Sequence, residues 1–263
     1  MPTLARKIFV VGGSGFVGQA ICRAALSRGW QVLSLSRHGA PERNATTQDQ
    51  TTTCVDNQVQ WIKGNALEPD TYKEHLAGCD AIVHSVGVLL ETSYKKLVNV
   101  GYNSSSSYAA ATYESANRDT ALNVARAARE TPGVNTFAYI SASDVLPFID
   151  SRYISTKREV ERELLAHQDQ MRPIILRPGF MFSSARPITL PIAAGMEAFQ
   201  TLYDRTPLGC VLKHTPVAKA AHSVLRREVV ADAIINGISD PKVSGVLEIA
   251  DIKRIGSAQP SLY

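Results

Sequence analysis

A chain of 263 residues is long enough to bury a sizeable core, and 44% hydrophobic against 20% charged residues is the balance of an ordinary globular domain, not of a disordered or fibrous one. A formal net charge of +4, without any dense Lys/Arg block, is too small to argue for nucleic acid, and no run of about 18 apolar residues suggests a membrane span. The four cysteines, Cys22, Cys54, Cys79 and Cys210, are scattered without a C-x-x-C pair and read as free thiols in a reducing compartment, and no metal-ligand set stands out.

The first element is Lys7 to Gly18, KIFVVGGSGFVG. Ile8-Phe9-Val10-Val11 is too short for a helix and reads as a buried parallel strand. A helix pattern then runs from Phe16 through Val17 and Ile21 to Arg28, stopped by Gly29. Strand, glycine turn and helix is the arrangement that binds a dinucleotide pyrophosphate. Gly12 permits the tight turn, Gly15 lets backbone approach the phosphates and Gly18 lets helix and strand pack closely. Ser14, Phe16 and Val17 belong to the same cradle at the helix N-terminus, where free N–H groups meet an anion. With no signal-length segment ahead of this strand, no removable leader is expected.

Gln31 to Ser36 reads as the second strand, followed by Arg37-His38. An acid at this point would hold the ribose 2′-OH of NAD, whereas an arginine accommodates the 2′-phosphate of NADP. Arg37 and Ser36 therefore favour NADP(H), with NAD(H) as the second choice. Ala40 to Asn57 is a polar loop. Val59 to Ile62 resumes as the third strand, with Asn65 placed to face the adenine. Asp70 to Leu76 is a short helix. Asp80 to Ser85 is the fourth strand, which brings Ser85 and Gly87 to the cofactor, and His84 within it reads as packed, not reactive. Glu91 to Glu114, with Ser104 to Ser107 at its centre, is a surface loop. Ser115 to Glu130 is an amphipathic helix, and Phe137 to Ile140 is the fifth strand, with Ser141 and Ser143 at its carboxyl end.

From Asp150 the chain reads DSRYISTKREVERELL. Tyr153, Lys157, Val160 and Leu164 share one helical face that the apolar members turn inward. A lysine is almost never fully buried without a partner, so the Tyr–Lys pair reads as chemistry. Lys157 stabilises the Tyr153 tyrosinate, Tyr153 passes a proton to or from a substrate oxygen, and Lys157 also binds the nicotinamide ribose. Ser141 is the expected hydrogen-bond donor to the substrate, with Ser143 as the alternate. Pro173 to Leu176 is the next strand, and Pro178 and Gly179 fix the turn where cofactor and substrate meet. The predicted fold class is α/β, a Rossmann-like doubly wound parallel sheet. Residues 1–182 form the dinucleotide-binding domain and 183–263 a small substrate or partner lobe, with a returning strand near 246–249. Leu190 to Leu202 is an apolar helical stretch, Val224 to Ile238 another helix, and the tail from Lys253 is expected to fray.

GGSGFVG, the helix containing Asn117, the Ser141 segment, YISTK and LRPGF occur in the order of the short-chain dehydrogenase/reductase superfamily. The chain resembles its extended or atypical branch, close to the NADPH-holding accessory subunit of respiratory complex I. Three segments, GGSGFVGQAICRAALSRGWQVLSLSR, VHSVGVLLE and SRYISTKREVERELLAHQDQMRPIILRPGFMF, also look like a fungal mitochondrial family associated with coenzyme Q biosynthesis. The resemblance covers residues 7–182 well and the rest weakly. It implies a place on the matrix side of the mitochondrial inner membrane, and the apolar stretch at 190–202 is the segment suited to peripheral membrane contact. It implies protein partners among the ubiquinone-synthesis enzymes and a hydrophobic substrate or quinone intermediate. It also carries over the roles of Tyr153 as acid/base, Lys157 as its partner, Ser141 as substrate donor and Gly12, Gly15 and Gly18 at the pyrophosphate. Asn65 departs from the aspartate common in the superfamily. Three readings compete: an NADP(H)-dependent oxidoreductase, a module that holds NADPH for assembly or regulation, and a sugar-nucleotide epimerase. The apolar lobe argues against the last.

Overall fold

The computed structural model describes residues 6–41, 57–87, 114–144, 151–183 and 223–258. Seven parallel strands form one sheet: β1 (Lys7–Val11), β2 (Gln31–Ser36), β3 (Gln60–Lys63), β4 (Ala81–His84), β5 (Thr136–Ile140), β6 (Arg172–Leu176) and β9 (Gly245–Leu247), in the spatial order β3-β2-β1-β4-β5-β6-β9. A two-stranded parallel ribbon of β7 (Met181–Phe182) and β8 (Leu225–Arg226) lies apart from it. Because β1 is flanked by β2 on one side and β4 on the other, the crossovers run in opposite directions. They leave a crevice at the carboxyl ends of β1 and β4, the switch point at which open α/β sheets bind ligands.

The strands are apolar throughout because both faces of the sheet are covered. On one face Ile8, Val10, Val83 and Ile174 pack against α1 (Phe16–Leu26), α4 (Arg227–Ser239) and α5 (Ile249–Gly256). On the other, Phe9, Ile82, Phe137 and Ile175 meet α2 (Thr120–Arg129) and α3 (Ser151–Ala166). Each strand alternates between the two cores with its period of two. A π-helical turn at Glu114–Asp119 precedes α2, and two short 3₁₀ turns, Pro69–Thr71 and Lys73–Leu76, stand where a single short helix is predicted.

The segment from residue 183 divides. The predicted helix at 190–202 lies outside the described residues, as do nearly all of the loops at 40–57 and 91–114 and the helix-capping Asp150. Residues 225–256 pack into the same core as the glycine turn: Val230, Ile234 and Ile238 of α4 and Ile252 of α5 are fully or almost fully buried in the cluster that holds Ile8 and Ile21. The expectation that the chain frays from Lys253 is corrected. Lys253 lies inside α5, because Ile252 and Ile255 anchor it and Glu248 with Asp251 forms a reciprocal capping box at its start.

Candidate functional site

The glycine turn is built to bring backbone close to a ligand. Gly12 has a φ of 86°, a left-handed conformation open to glycine and strained for other residues. Its N–H donates to the Leu35 carbonyl at 2.9 Å, which ties the turn to β2. A Cβ on Gly18 would stand 2.1 Å from the Gly12 carbonyl oxygen and 2.7 Å from Gly13 Cα, so only hydrogen fits between helix and turn. Gly15 is the N-cap of α1, and its N–H donates to Gly12 O at 2.9 Å. Among the described residues no side chain caps this helix, and no acid stands in its first turn to compete with a phosphate. Val17 and Gly18 are buried against the strand, while Phe16 is half-buried and covered by the Arg227 guanidinium, 5.2 Å from its ring centroid.

A cavity of about 310 Å³ opens beside this turn. Gly12 and Ser14 form one wall, Ser36, Arg37 and His38 after β2 another, and Asn65 and Leu67 after β3 a third. Val86 just after β4, Ser115 and Ala116 from the π-helical turn, and Thr120 at the start of α2 complete it. Glycines that admit no Cβ, an uncapped helix end and a cation at the β2 terminus together fit the pyrophosphate and adenosine half of a dinucleotide. Ser36 is half-buried, and its hydroxyl donates to the Gly39 carbonyl, closing the turn that presents Arg37. Asn65 also has a local duty: it accepts from the Leu67 N–H at 3.1 Å and donates to Glu68 at 2.8 Å, shaping the wall it belongs to. Ser85 donates to Val11 O at 2.8 Å and so fastens β4 to the end of β1.

Gly87 lies at the other end, where a Cβ would come within 3.2 Å of Lys157 Nζ. Lys157 is 1% exposed. Its ammonium donates to Ile140 O at 3.0 Å and Val86 O at 3.3 Å, and it lies 5.8 Å from the centroid of the Tyr153 ring. Tyr153, half-buried, and Lys157 are thus brought together on α3 as their spacing predicts. Burial draws Lys157 down to about 7, against the pull of Glu161 in the other direction. His84 is fully buried, and burial, with the Lys157 charge nearby, pushes it down to about 3, which agrees with a packed, neutral ring.

Ser141 is placed differently from the substrate-donor role. Its hydroxyl donates to Glu161 at 2.5 Å, inside a buried network in which Arg177 and Arg158 hold the same carboxylate. Burial alone would raise Glu161, but hydrogen bonds from Arg177 and Ser141 and the charge of Arg158 hold it below the usual carboxylate range. Arg177 reaches on to Glu248 at 2.7 Å, so α3, β6 and the start of α5 are joined. Ser143, the alternate, is anchored by its backbone N–H to Pro178 O at 2.9 Å. Gly179 packs so closely on Ser223 that a Cβ would lie 2.3 Å from its carbonyl. Pro178 and Gly179 therefore join the ends of β5 and β6 to the chain leading into β8. Glu161 was absent from the predicted site. Its position four residues after Lys157, on the same helical face, was the signal that could have found it.

Residues 8–191 match the profile of the NAD dependent epimerase/dehydratase family. The chain belongs to this family. Solved structures share the fold. A short-chain dehydrogenase/reductase family oxidoreductase from Burkholderia thailandensis superposes with a TM-score of 0.60 at 18% identity, over 94% of this chain and 92% of that one. UDP-glucuronic acid 4-epimerase from Bacillus cereus, solved in complex with NAD, superposes with a TM-score of 0.59 at 18% identity, over 92% of this chain and 76% of that one. At the level of sequence, MIOREX complex component 2 of Saccharomyces cerevisiae is 32% identical over 94% of this chain and 98% of its own length. An uncharacterized chloroplastic protein of Arabidopsis thaliana is 30% identical over 94% of this chain and 76% of its own length. No described helix is long and apolar enough to cross a membrane.

Proposed function

We propose that this family member is an NADP(H)-dependent oxidoreductase acting on a hydrophobic carbonyl or quinone-like compound. The observation that carries the reading is the buried Lys157 beside Tyr153, at the nicotinamide end of a crevice whose other end is an adenosine-sized cavity. Arg37 on the cavity wall, with no acid at the end of β2, supports NADP(H) over NAD(H). When bound, the nicotinamide supplies or accepts the hydride. Tyr153 passes the proton to or from the substrate oxygen, and Lys157 stabilises the tyrosinate and holds the ribose hydroxyls. Ser143 is the alternate donor to the substrate oxygen, since Ser141 is engaged by Glu161. A short local similarity to 2-alkyl-3-oxoalkanoate reductase of Stenotrophomonas maltophilia, 37% over 79 residues and 30% of this chain, supports reduction of an alkyl-bearing carbonyl compound.

The resemblance to the coenzyme Q family supports a role in ubiquinone biosynthesis on the matrix side of the mitochondrial inner membrane. The yeast relative is named as a component of a complex, which supports protein partners for this chain too. The engagement of Ser141 by Glu161 favours a second reading, a non-catalytic subunit that holds NADPH within such an assembly. Titration of purified protein with NADPH and NADH, followed by nicotinamide fluorescence, tests cofactor binding. Binding of neither nucleotide overturns both readings. Tyr153→Phe separates them: ubiquinone levels that stay normal with Tyr153→Phe but fall with a Gly15 substitution select the cofactor-holding subunit.

A further inference from the structure

Two buried side chains beneath the reaction half have no role in the function proposed above. His84 and Tyr139 are direct register partners at the carboxyl ends of β4 and β5. Both are completely buried, their ring centroids 5.8 Å apart and their planes inclined by 40°. The Lys157 ammonium lies 4.8 Å from the centroid of the Tyr139 ring and 5.8 Å from that of Tyr153. Neither ring nitrogen of His84 has a hydrogen-bond partner among the described residues. A buried imidazole with both nitrogens unpaired is expensive to retain, and an apolar side chain at the same place would avoid the penalty.

We propose that His84 and Tyr139 form a neutral aromatic floor that positions Lys157 and sets the pH at which its charge is lost. They are positioning residues, acting on the cofactor only through Lys157, and the inference rests on the reading of Lys157 as a ribose ligand. The Tyr139 ring holds the ammonium through its π-face, and its hydroxyl is directed to the Asn117 carbonyl, 3.4 Å away. Burial keeps the floor uncharged: His84 is driven down to about 3 and Tyr139 well above its ordinary value. Among the described residues, the other titratable and charged groups facing this point come from α3 and the end of β6. Tyr153 and, one turn beyond Lys157, Glu161 with Arg158 lie on α3, and Arg177 at the end of β6 acts through Glu161. On the β1 side the register partner of His84 is Val11, and the turn before α2 offers the uncharged Asn117. Among the described ionisable groups, Glu161 is the charge that pulls Lys157 towards the charged form, and its own charge is shared with two arginines. A floor carrying no charge leaves desolvation dominant, so the ammonium titrates near neutrality and its grip on ribose hydroxyls weakens as pH rises.

The test is a side-chain NMR titration of protein labelled with ¹³C,¹⁵N-lysine, with the Lys157 signal assigned by its loss in Lys157→Met. The wild-type signal is expected to titrate near neutral pH. In His84→Asp an anion replaces the neutral ring, and the midpoint is expected to rise by about one pH unit or more. Tyr139→Leu, which removes the ring, lowers the midpoint, whereas Tyr139→Phe, which keeps it, does not. If His84→Asp does not fold, Tyr139→Leu carries the test alone. A wild-type midpoint near the ordinary lysine value, or one unmoved by the His84→Asp and Tyr139→Leu changes, overturns the proposal. NADPH titration of the same proteins keeps the two conclusions apart. A midpoint that moves in protein unable to bind NADPH leaves the floor and removes the oxidoreductase reading. NADPH binding with an unmoved midpoint does the reverse.

Discussion

The two halves of the crevice are made in opposite ways. The adenosine half, at the ends of β1, β2 and β3, is built from backbone: glycines that admit no Cβ, an uncapped helix end and short turns closed by Ser36 and Asn65. Its groups are close in sequence, and none is a buried charge. The other half, at the ends of β4, β5 and β6 under α3, is built around buried charges: Lys157 and Glu161, each no more than 2% exposed, with the partly exposed Arg158 and Arg177 beside them. The first half presents preorganised N–H groups at little electrostatic cost. The second retains a desolvated lysine and a buried carboxylate that stability alone would not select.

The contrast can be broken most severely at the turn. Gly18→Val drives side-chain atoms into the Gly12 carbonyl, and backbone cannot give way as a flexible side chain would. NADPH binding is expected to disappear together with a large drop in melting temperature, and a variant that still binds normally would refute the close-packing role. Next comes Glu161→Ala, which leaves Arg158 and Arg177 facing a vacated site and frees the Ser141 hydroxyl. Removing one member of a buried ionic network costs about 3–5 kcal/mol, readable by denaturant unfolding. In the other direction, Lys157→Met is expected to stabilise the fold while weakening NADPH binding. A loss of stability in this variant would show that the lysine is a structural anchor.

The pH dependence has a definite sign. The folded value of Lys157 is depressed from 10.5 to about 7, so the stability contributed by its neutral form is full above 10.5 and is lost as pH falls towards 7. For His84, depressed from 6.5 to about 3, the corresponding loss runs from 6.5 downwards. Unfolding free energy measured against pH should therefore rise between 7 and 10.5 on account of Lys157, and that component should vanish in Lys157→Met. Arg37→Ala sharpens the adenosine half: NADPH affinity should fall about tenfold, worth about 1.4 kcal/mol, with NADH unchanged. Equal weakening of both nucleotides would assign Arg37 a general electrostatic role. The smallest effect belongs to Lys73→Ala. Its pair with Asp70 is solvent-exposed, and the melting temperature should not move measurably.

Legibility followed the same division. Gly12, Gly15 and Gly18, the strands at Lys7–Val11 and Gln31–Ser36, and the helix carrying Tyr153 and Lys157 were all readable, because each rests on contacts within one strand–turn–helix unit or one helical face. The role of Ser141 was not readable, since the residue that engages its hydroxyl lies twenty positions away on α3. Nor was the character of the tail: Ile252 and Ile255 hold α5 only because α4 is there to receive them.

Local pattern in the sequence was sufficient for the parallel doubly wound class, the dinucleotide turn and the Tyr–Lys spacing. Period and glycine placement act over a few residues, and neighbouring contacts enforce them. Tertiary structure alone decided three things: that residues 225–256 complete the main core, that Glu161 collects Ser141, Arg158 and Arg177, and that His84 and Tyr139 lie beneath an ammonium. Each depends on strand order. Register between β4 and β5, and the docking of α3 across them, bring together groups that no local rule relates, and the free energy of burying their charges exists only once that sheet is assembled.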